Sequence, residues 1–167
     1  MARASDWSNA LKPNEQFRHE CAEEVRLQGK DLEFQATTQE WIDRSMHSKY
    51  SFHFEWLGRP IIQYPQDIVA MQEILFTVQP DLVIETGVAH GGSLVFYSSM
   101  LELIASCGGP SEAAVVGIDI EIRPHNLEAI EAHPMAKRVR LIEGSSTAPA
   151  VVDDVRHIAS QCKRVLV

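Results

Sequence analysis

Residues 81–93 read Asp-Leu-Val-Ile-Glu-Thr-Gly-Val-Ala-His-Gly-Gly-Ser. Leu82 to Glu85 is a short apolar run between Pro80 and Gly87. The next residues place Leu94, Tyr97, Leu101 and Ile104 on one stripe, which predicts a helix over 91–105. The stretch is therefore a strand running through a glycine-rich turn into a helix. The same alternation repeats downstream. Residues 113–120 predict a second buried strand, 139–143 a third, and 164–167 the start of a fourth. Helices are predicted from Pro124 to about His133, with proline at the first position, and over 150–161. Continuous apolar strands separated by helices form a parallel sheet covered on both faces, so the expected class is α/β.

Upstream the pattern weakens. Asn14 is expected to cap a helix over 15–28 that ends at Gly29, and a second helix is expected over 32–46. Residues 1–13 read as a tail. Both helices are polar, so residues 1–49 are expected to be an appendage to a domain over 50–167. Residues 47–66 are rich in aromatics and broken by Gly58, Pro60 and Pro65, so they predict an irregular connector. Tyr50, Phe52, Phe54 and Trp56 alternate in it, suited either to stacking a ring or to packing on the sheet. Asp67 is expected to cap a helix through Val78, stopped by Pro80.

Composition narrows the function. The 167 residues suit one ordinary domain, and 45% hydrophobic content suffices for a core. A formal charge of −8 argues against a nucleic-acid partner and against an anionic membrane surface. The three cysteines are odd in number and form no CxxC pair, which fits a reducing cytoplasm better than a disulfide framework or a zinc site. No apolar run approaches the roughly 20 residues of a membrane span. The seven histidines form no HxxxH pair, His90 reads as a solvent-facing spacer, and Asp153-Asp154 as a solvated helix face.

The glycine turn carries the chemistry. Gly87 lets the chain turn sharply beside Glu85 and Thr86. Gly91 and Gly92 are expected to let a ligand approach the backbone, and Ser93 to cap the helix or donate to that ligand. Against the dinucleotide pattern GxGxxG, Ala89 replaces the glycine that lets a pyrophosphate approach. S-adenosylmethionine (AdoMet) has no phosphate. It needs a carboxylate for its amino group, a role open to Glu85, and donors for its own carboxylate. Asp119, ending the second strand, is placed for ribose hydroxyls, with Glu121 as a competitor. Ser145 and Ser146 follow the third strand and could border an adenine. The rivals are an NAD-dependent oxidoreductase, disfavoured by Ala89, and a cofactor-binding fragment without turnover. An iron oxygenase would need a 2-His-1-carboxylate triad, and none is evident.

These residues resemble the cephalosporin hydroxylase / rhamnosyl O-methyltransferase family. The resemblance rests on residues 56–67, on Gln72-Glu73-Ile74, on 80–93 and on Phe96-Tyr97-Ser98. It continues in Gly117-Ile-Asp-Ile120, Arg123-Pro-His-Asn126 and Glu143-Gly-Ser-Ser146. It implies a Rossmann-like class I methyltransferase sandwich that transfers a methyl group from AdoMet to a hydroxyl of a sugar or antibiotic-like small molecule. It places Glu85, Gly87 and Ser93 at the methionine end, Asp119 at the ribose, Ser145 or Ser146 near the adenine, and Gln63 and Tyr64 over the cofactor or acceptor. Family members use magnesium, with ligands at or beyond the end of the fourth strand, where no residue of this chain matches. A chain ending in the fourth of seven strands is expected to be truncated, with Val165, Leu166 and Val167 on an apolar edge that invites self-association.

Overall fold

The computed structural model describes residues 15–167, so the tail over 1–13 and the cap at Asn14 lie outside the described residues. The chain divides into two units, one up to Tyr50 and one from Ser51. In the first, α1 spans Glu15–Gln28 and buries no residue, in keeping with its polar sequence. Asp31 starts α2, Leu32–His47, by accepting from the N–H groups of Glu33 and Phe34 at 3.1 and 3.0 Å. Ser45 is the one buried residue of α2.

The second unit opens with a hairpin where an irregular connector was expected. Strands β1 (Phe54–Trp56) and β2 (Arg59–Ile61) pair antiparallel, with Glu55 opposite Pro60. Leu57 and Gly58 join them at φ 47° and 81°, the left-handed pair that a two-residue hairpin turn requires. Leucine at the first of these positions carries no turn signal. Pro60 is tolerated because β2 pairs on one side only. Helix α3 spans Pro65–Val78 and so begins two residues before the expected cap. Pro65 is pre-set for a first helical position, and Tyr64 precedes it without a side-chain cap. Asp67 lies inside the first turn, where its charge favours the positive end of the helix.

The βα alternation is realised as β3 (Leu82–Thr86), α4 (Gly92–Ser106), β4 (Ala114–Asp119), α5 (Pro124–Glu131), β5 (Val139–Glu143), α6 (Pro149–Ala159) and β6 (Val165–Leu166). The strand order is β5-β4-β3-β6 and every pair is parallel. The α/β expectation holds. Side chains alternate between two cores. Val83 and Val115 join Leu75 of α3, Leu94, Phe96 and Leu101 of α4, and Ile130 of α5. Leu82, Ile84, Val116 and Ile118 face Val151, Val155 and Ile158 of α6. Both faces of the sheet are thus covered, which is why its strands read as unbroken apolar runs. Asp81 fastens β6 alongside β3: its Oδ2 accepts from the N–H groups of Lys163 and Arg164 at 3.0 and 2.9 Å. Among the described residues no helix is long and apolar enough to cross a membrane.

Packing settles the two readings of the alternating aromatics for Trp56. Its indole N–H donates to Ser99 Oγ at 2.9 Å, and its ring meets Phe96 edge-on at 4.9 Å. Replacing Trp56 with phenylalanine is expected to cost about 1–2 kcal/mol, from one buried hydrogen bond and part of an aromatic contact. The urea midpoint of unfolding checks this, and an unchanged midpoint would count against the packing role.

Candidate functional site

Ligands of open parallel sheets bind outside the carboxyl ends of the strands, where the connections reverse direction. Here β3 is flanked by β4 on one side and β6 on the other, so that reversal lies at β3. The ends of β3, β4 and β5 present Glu85, Asp119 and Glu143, with Glu85 beside Gly117 and Asp119 beside Glu143 in the ladder.

Glu85 is largely withdrawn from water. Burial pushes its carboxyl up to about 7, although the hydroxyl of Ser93 donates to Oε2 at 2.7 Å and opposes the rise. Ser93 therefore serves Glu85 and does not cap α4. Gly91 occupies the cap position in the left-handed conformation, and no side chain caps the helix. The first-turn N–H groups of α4 remain suited to an anion. Tyr97, one turn on from Ser93, has its hydroxyl pKa raised by burial and by the charge of Glu85, while a hydrogen bond from Gln63 draws it down. Gln63 Oε1 is buried and has no partner among the described residues. Gln63, Glu85, Gly87 and Ser93 line one cavity of about 100 Å³. Glu85 and Gln63 thus border a space whose described lining includes His90 but no lysine or arginine.

The glycines divide by what surrounds them. Gly87 has φ 96°, and nothing lies within 4 Å of where a side chain would project, so its open face belongs to the cavity. Gly91 and Gly92 were expected to let a ligand approach the backbone; Gly92 lines the cavity with Gly87, while at both positions protein fills the space that a side chain would take. A Cβ on Gly92 would stand 2.1 Å from the carbonyl oxygen of Pro60, and one on Gly91 would stand 2.4 Å from Ile130. Their lack of a side chain seats the hairpin and α5 against the turn.

Asp119 also has work inside the protein. Its Oδ2 accepts from the N–H groups of Val88 and Ala89 at 2.7 and 3.2 Å, and Oδ1 from Glu121 at 3.3 Å. Burial pushes its carboxyl up, but the backbone donors Val88, Glu121, Ala89 and Ile120 outweigh it and hold the group below the usual aspartate value. A carboxylate has about four lone-pair sites, so Oδ1 keeps acceptor capacity toward a ligand. Beside it lies a cavity of about 310 Å³ lined by Ala89, His90, Asp119, Glu121, Arg123 and Asn126. Ser145 pairs its hydroxyl with Thr147 at 3.0 Å, and Ser146 is exposed; both lie after β5. Thr86 is exposed at the end of β3. Asp153 and Asp154 are exposed on α6, as expected for a solvated face.

Sequence reasoning gave no role to Tyr97, Arg59 or Asn126; Arg59 and Asn126 bond the carbonyls of the turn, and Tyr97 bonds Gln63. Tyr97 was visible as one position of the apolar stripe and, without a role, within Phe96-Tyr97-Ser98. A larger cavity, about 600 Å³, runs along α5 and β5 past Ile122, Leu127 and Leu141. Glu131, Lys137 and Glu143 also line it, but none of the groups at the end of β3 does, and a site is argued from its polar groups as well as from its size. Among the described residues, no three His, Cys, Asp or Glu side chains are placed to hold a metal ion.

The family model described as Rhamnosyl O-methyltransferase/CmcI matches residues 48–167. A rhamnosyl O-methyltransferase of Mycobacterium leprae (strain TN) is 31% identical over 108 residues, covering 64% of this chain and 42% of that protein. One from Mycobacterium tuberculosis (strain ATCC 25618 / H37Rv) is 32% identical over 98 residues, covering 57% of this chain and 35% of that protein. The chain thus spans about two-fifths or less of the length of these curated relatives. Two solved structures are similar: "CmcI-N160 apo-structure", at 20% identity and TM-score 0.48, covering 63% of this chain and 41% of that one, and "cmcI-D160 Mg-SAM", at 19% and 0.45, covering 61% and 40%. With the family model matched from residue 48 through residue 167, the chain belongs to the Rhamnosyl O-methyltransferase/CmcI family.

Proposed function

We propose that this chain binds AdoMet at the Glu85–Ser93 turn and serves methyl transfer to a hydroxyl of a sugar, with rhamnose as the leading acceptor. The observation that carries the reading is Glu85, partly withdrawn from water, lining one cavity with Gln63 and the open face of Gly87. A carboxylate in a partly desolvated cavity suits an ammonium group. The uncapped start of α4 beside it suits a carboxylate. An amino acid carries both groups at one carbon, and AdoMet ends in one. Asp119 Oδ1 would take a ribose hydroxyl, and Ser145 or Ser146 would border the base. Bound there, AdoMet supplies an electrophilic methyl group. The residues of this chain hold its amino-acid end and keep water from it, which is a contribution of positioning.

Family membership supports the transfer, and the names of the mycobacterial relatives support the sugar. Magnesium is named with one of the similar structures, and among the described residues no group of three His, Cys, Asp or Glu side chains is placed to hold it. Three free cysteines support a reducing cytoplasm as the compartment. The units meeting at Tyr50 support an appendage and a cofactor domain.

Calorimetric titration tests the reading. AdoMet is expected to bind and to raise the unfolding temperature by mass action, and NAD is expected to do neither. Binding of NAD in preference to AdoMet would overturn it. Transfer of a labelled methyl group to a rhamnosyl glycoside tests the acceptor.

A further inference from the structure

We propose that Arg59 and Asn126 are positioning residues for the cofactor turn, gripping the backbone carbonyls of Ala89 and His90. The proposal rests on the AdoMet reading and extends it to two residues that act through the turn.

Asn126 is 5% exposed, so its amide must find partners within the protein. Its Nδ2 donates to the carbonyl of Ala89 at 2.9 Å, and its Oδ1 accepts from Arg59 Nη2 at 3.3 Å. The guanidinium of Arg59 also donates to the carbonyl of His90, from Nε at 3.0 Å and from Nη2. Earlier in the same turn, Asp119 accepts from the N–H groups of Val88 and Ala89. The turn is therefore held by its donors from β4 and by its acceptors from α5 and the hairpin.

The grip has a reason. Ala89 has φ 45°, a left-handed conformation that a residue with a side chain adopts only when its surroundings impose it. One helical turn beyond Asn126, on the same face of α5, Ile130 fills the space beside Gly91. One residue beyond Arg59, the carbonyl of Pro60 closes on Gly92. Each partner thus makes a polar contact to the turn and a packing contact to its glycines. Together they fix the path from Gly87 to Ser93, and with it where Ser93 meets Glu85.

The test uses Asn126→Ala, Arg59→Met and Arg59→Lys, read in two ways. Without cofactor, hydrogen exchange at the Val88 and Ala89 amides is expected to quicken about tenfold or more in N126A and R59M, with the amides of Val115 and Val116 in β4 unchanged. With cofactor, the Kd for AdoMet is expected to rise about tenfold in both, matching the loss of about one or two buried hydrogen bonds. Lysine keeps one donor to His90, so R59K is expected to stay within about threefold of wild type. Unchanged exchange at the turn in R59M overturns the proposal. So does an equal quickening across β4, which would make the residues generally structural. Arg59 lies on the hairpin rather than in the sheet core, so its pair of variants decides the matter even where N126A does not fold. If the wild type binds no AdoMet, the proposed function fails while the exchange experiment still judges the grip.

Discussion

Replacing Glu85 with glutamine is expected to stabilise the protein at pH 8 while destroying its affinity for AdoMet. Burial holds the folded carboxyl at about 7, against an ordinary value of 4.5. Between these values the folded state keeps a proton that the unfolded state has released. Stability is therefore fullest below about pH 4.5, falls as the pH rises, and levels off above 7. The gap corresponds to about 3 kcal/mol, an upper bound because neighbouring groups relax. Glutamine carries no charge to bury and can still accept from Ser93. The difference in melting temperature between E85Q and wild type is expected to be near zero at pH 4.5 and to reach several degrees at pH 8. Binding runs the other way. An ammonium beside Glu85 favours the carboxylate, so AdoMet affinity in the wild type is expected to rise with pH up to about 7 and then flatten. E85Q is expected to lose about 100-fold in affinity, the worth of a charge-assisted hydrogen bond, together with that pH dependence. Thermal melts and calorimetry across pH 5–8 check both halves. A variant that is less stable at pH 8 and binds AdoMet normally would remove Glu85 from the site.

The second large effect is expected from Gly92→Ala. By helix propensity alone, alanine near the start of α4 would gain about 1 kcal/mol. The new Cβ, however, would stand 2.1 Å from the oxygen and 2.5 Å from the carbon of the Pro60 carbonyl, and 2.8 Å from the nitrogen of Ile61. Those atoms are backbone and cannot rotate away. Either the hairpin lifts or the helix start shifts, and overpacking of this kind costs about 3 kcal/mol or more. A net loss of about 2 kcal/mol or more is expected in the urea midpoint, with weaker AdoMet binding because the turn moves. Gly87→Ala is the control. Nothing crowds its side chain, so only the strain of φ 96° applies, about 1–2 kcal/mol. A G92A protein more stable than wild type would refute the seating of the hairpin on that glycine.

The βα body was legible because its signals are local. Apolar runs such as Leu82–Glu85 and the stripe of α4 carry their own period, and Pro124 marks its helix start. The place of Glu85 at the strand end, before the glycine turn, was legible, whereas its burial was not. The hairpin was not, since Leu57 takes a left-handed conformation without the asparagine or glycine that usually announces it, and Pro60 reads as a breaker until its strand is seen to pair on one side. The start of α3 was misplaced because a capping aspartate and a first-position proline competed, and the proline won. The reason for Gly91 and Gly92 was beyond any local pattern. It depends on Ile130 and Pro60, which arrive from elements about 40 residues downstream and about 30 residues upstream. Asn126 was quoted within a motif, but its partners, Ala89 and Arg59, are likewise set by tertiary approach alone.

The strand order also sets a timetable for synthesis. β3 is central, with β4 on one side and β6 on the other, yet those neighbours emerge from the ribosome far apart. The pairing of Leu82 with Ala114 can form early, whereas that of Leu82 with Val165 must wait for a further fifty residues of chain. Throughout that interval one side of β3 stays open, with Asp81 poised to receive Lys163 and Arg164. Parallel pairings this distant are slow to close and vulnerable to capture by other chains. The hazard therefore lasts until β6 has emerged, and what ends it is the arrival of two backbone amides at a single carboxylate.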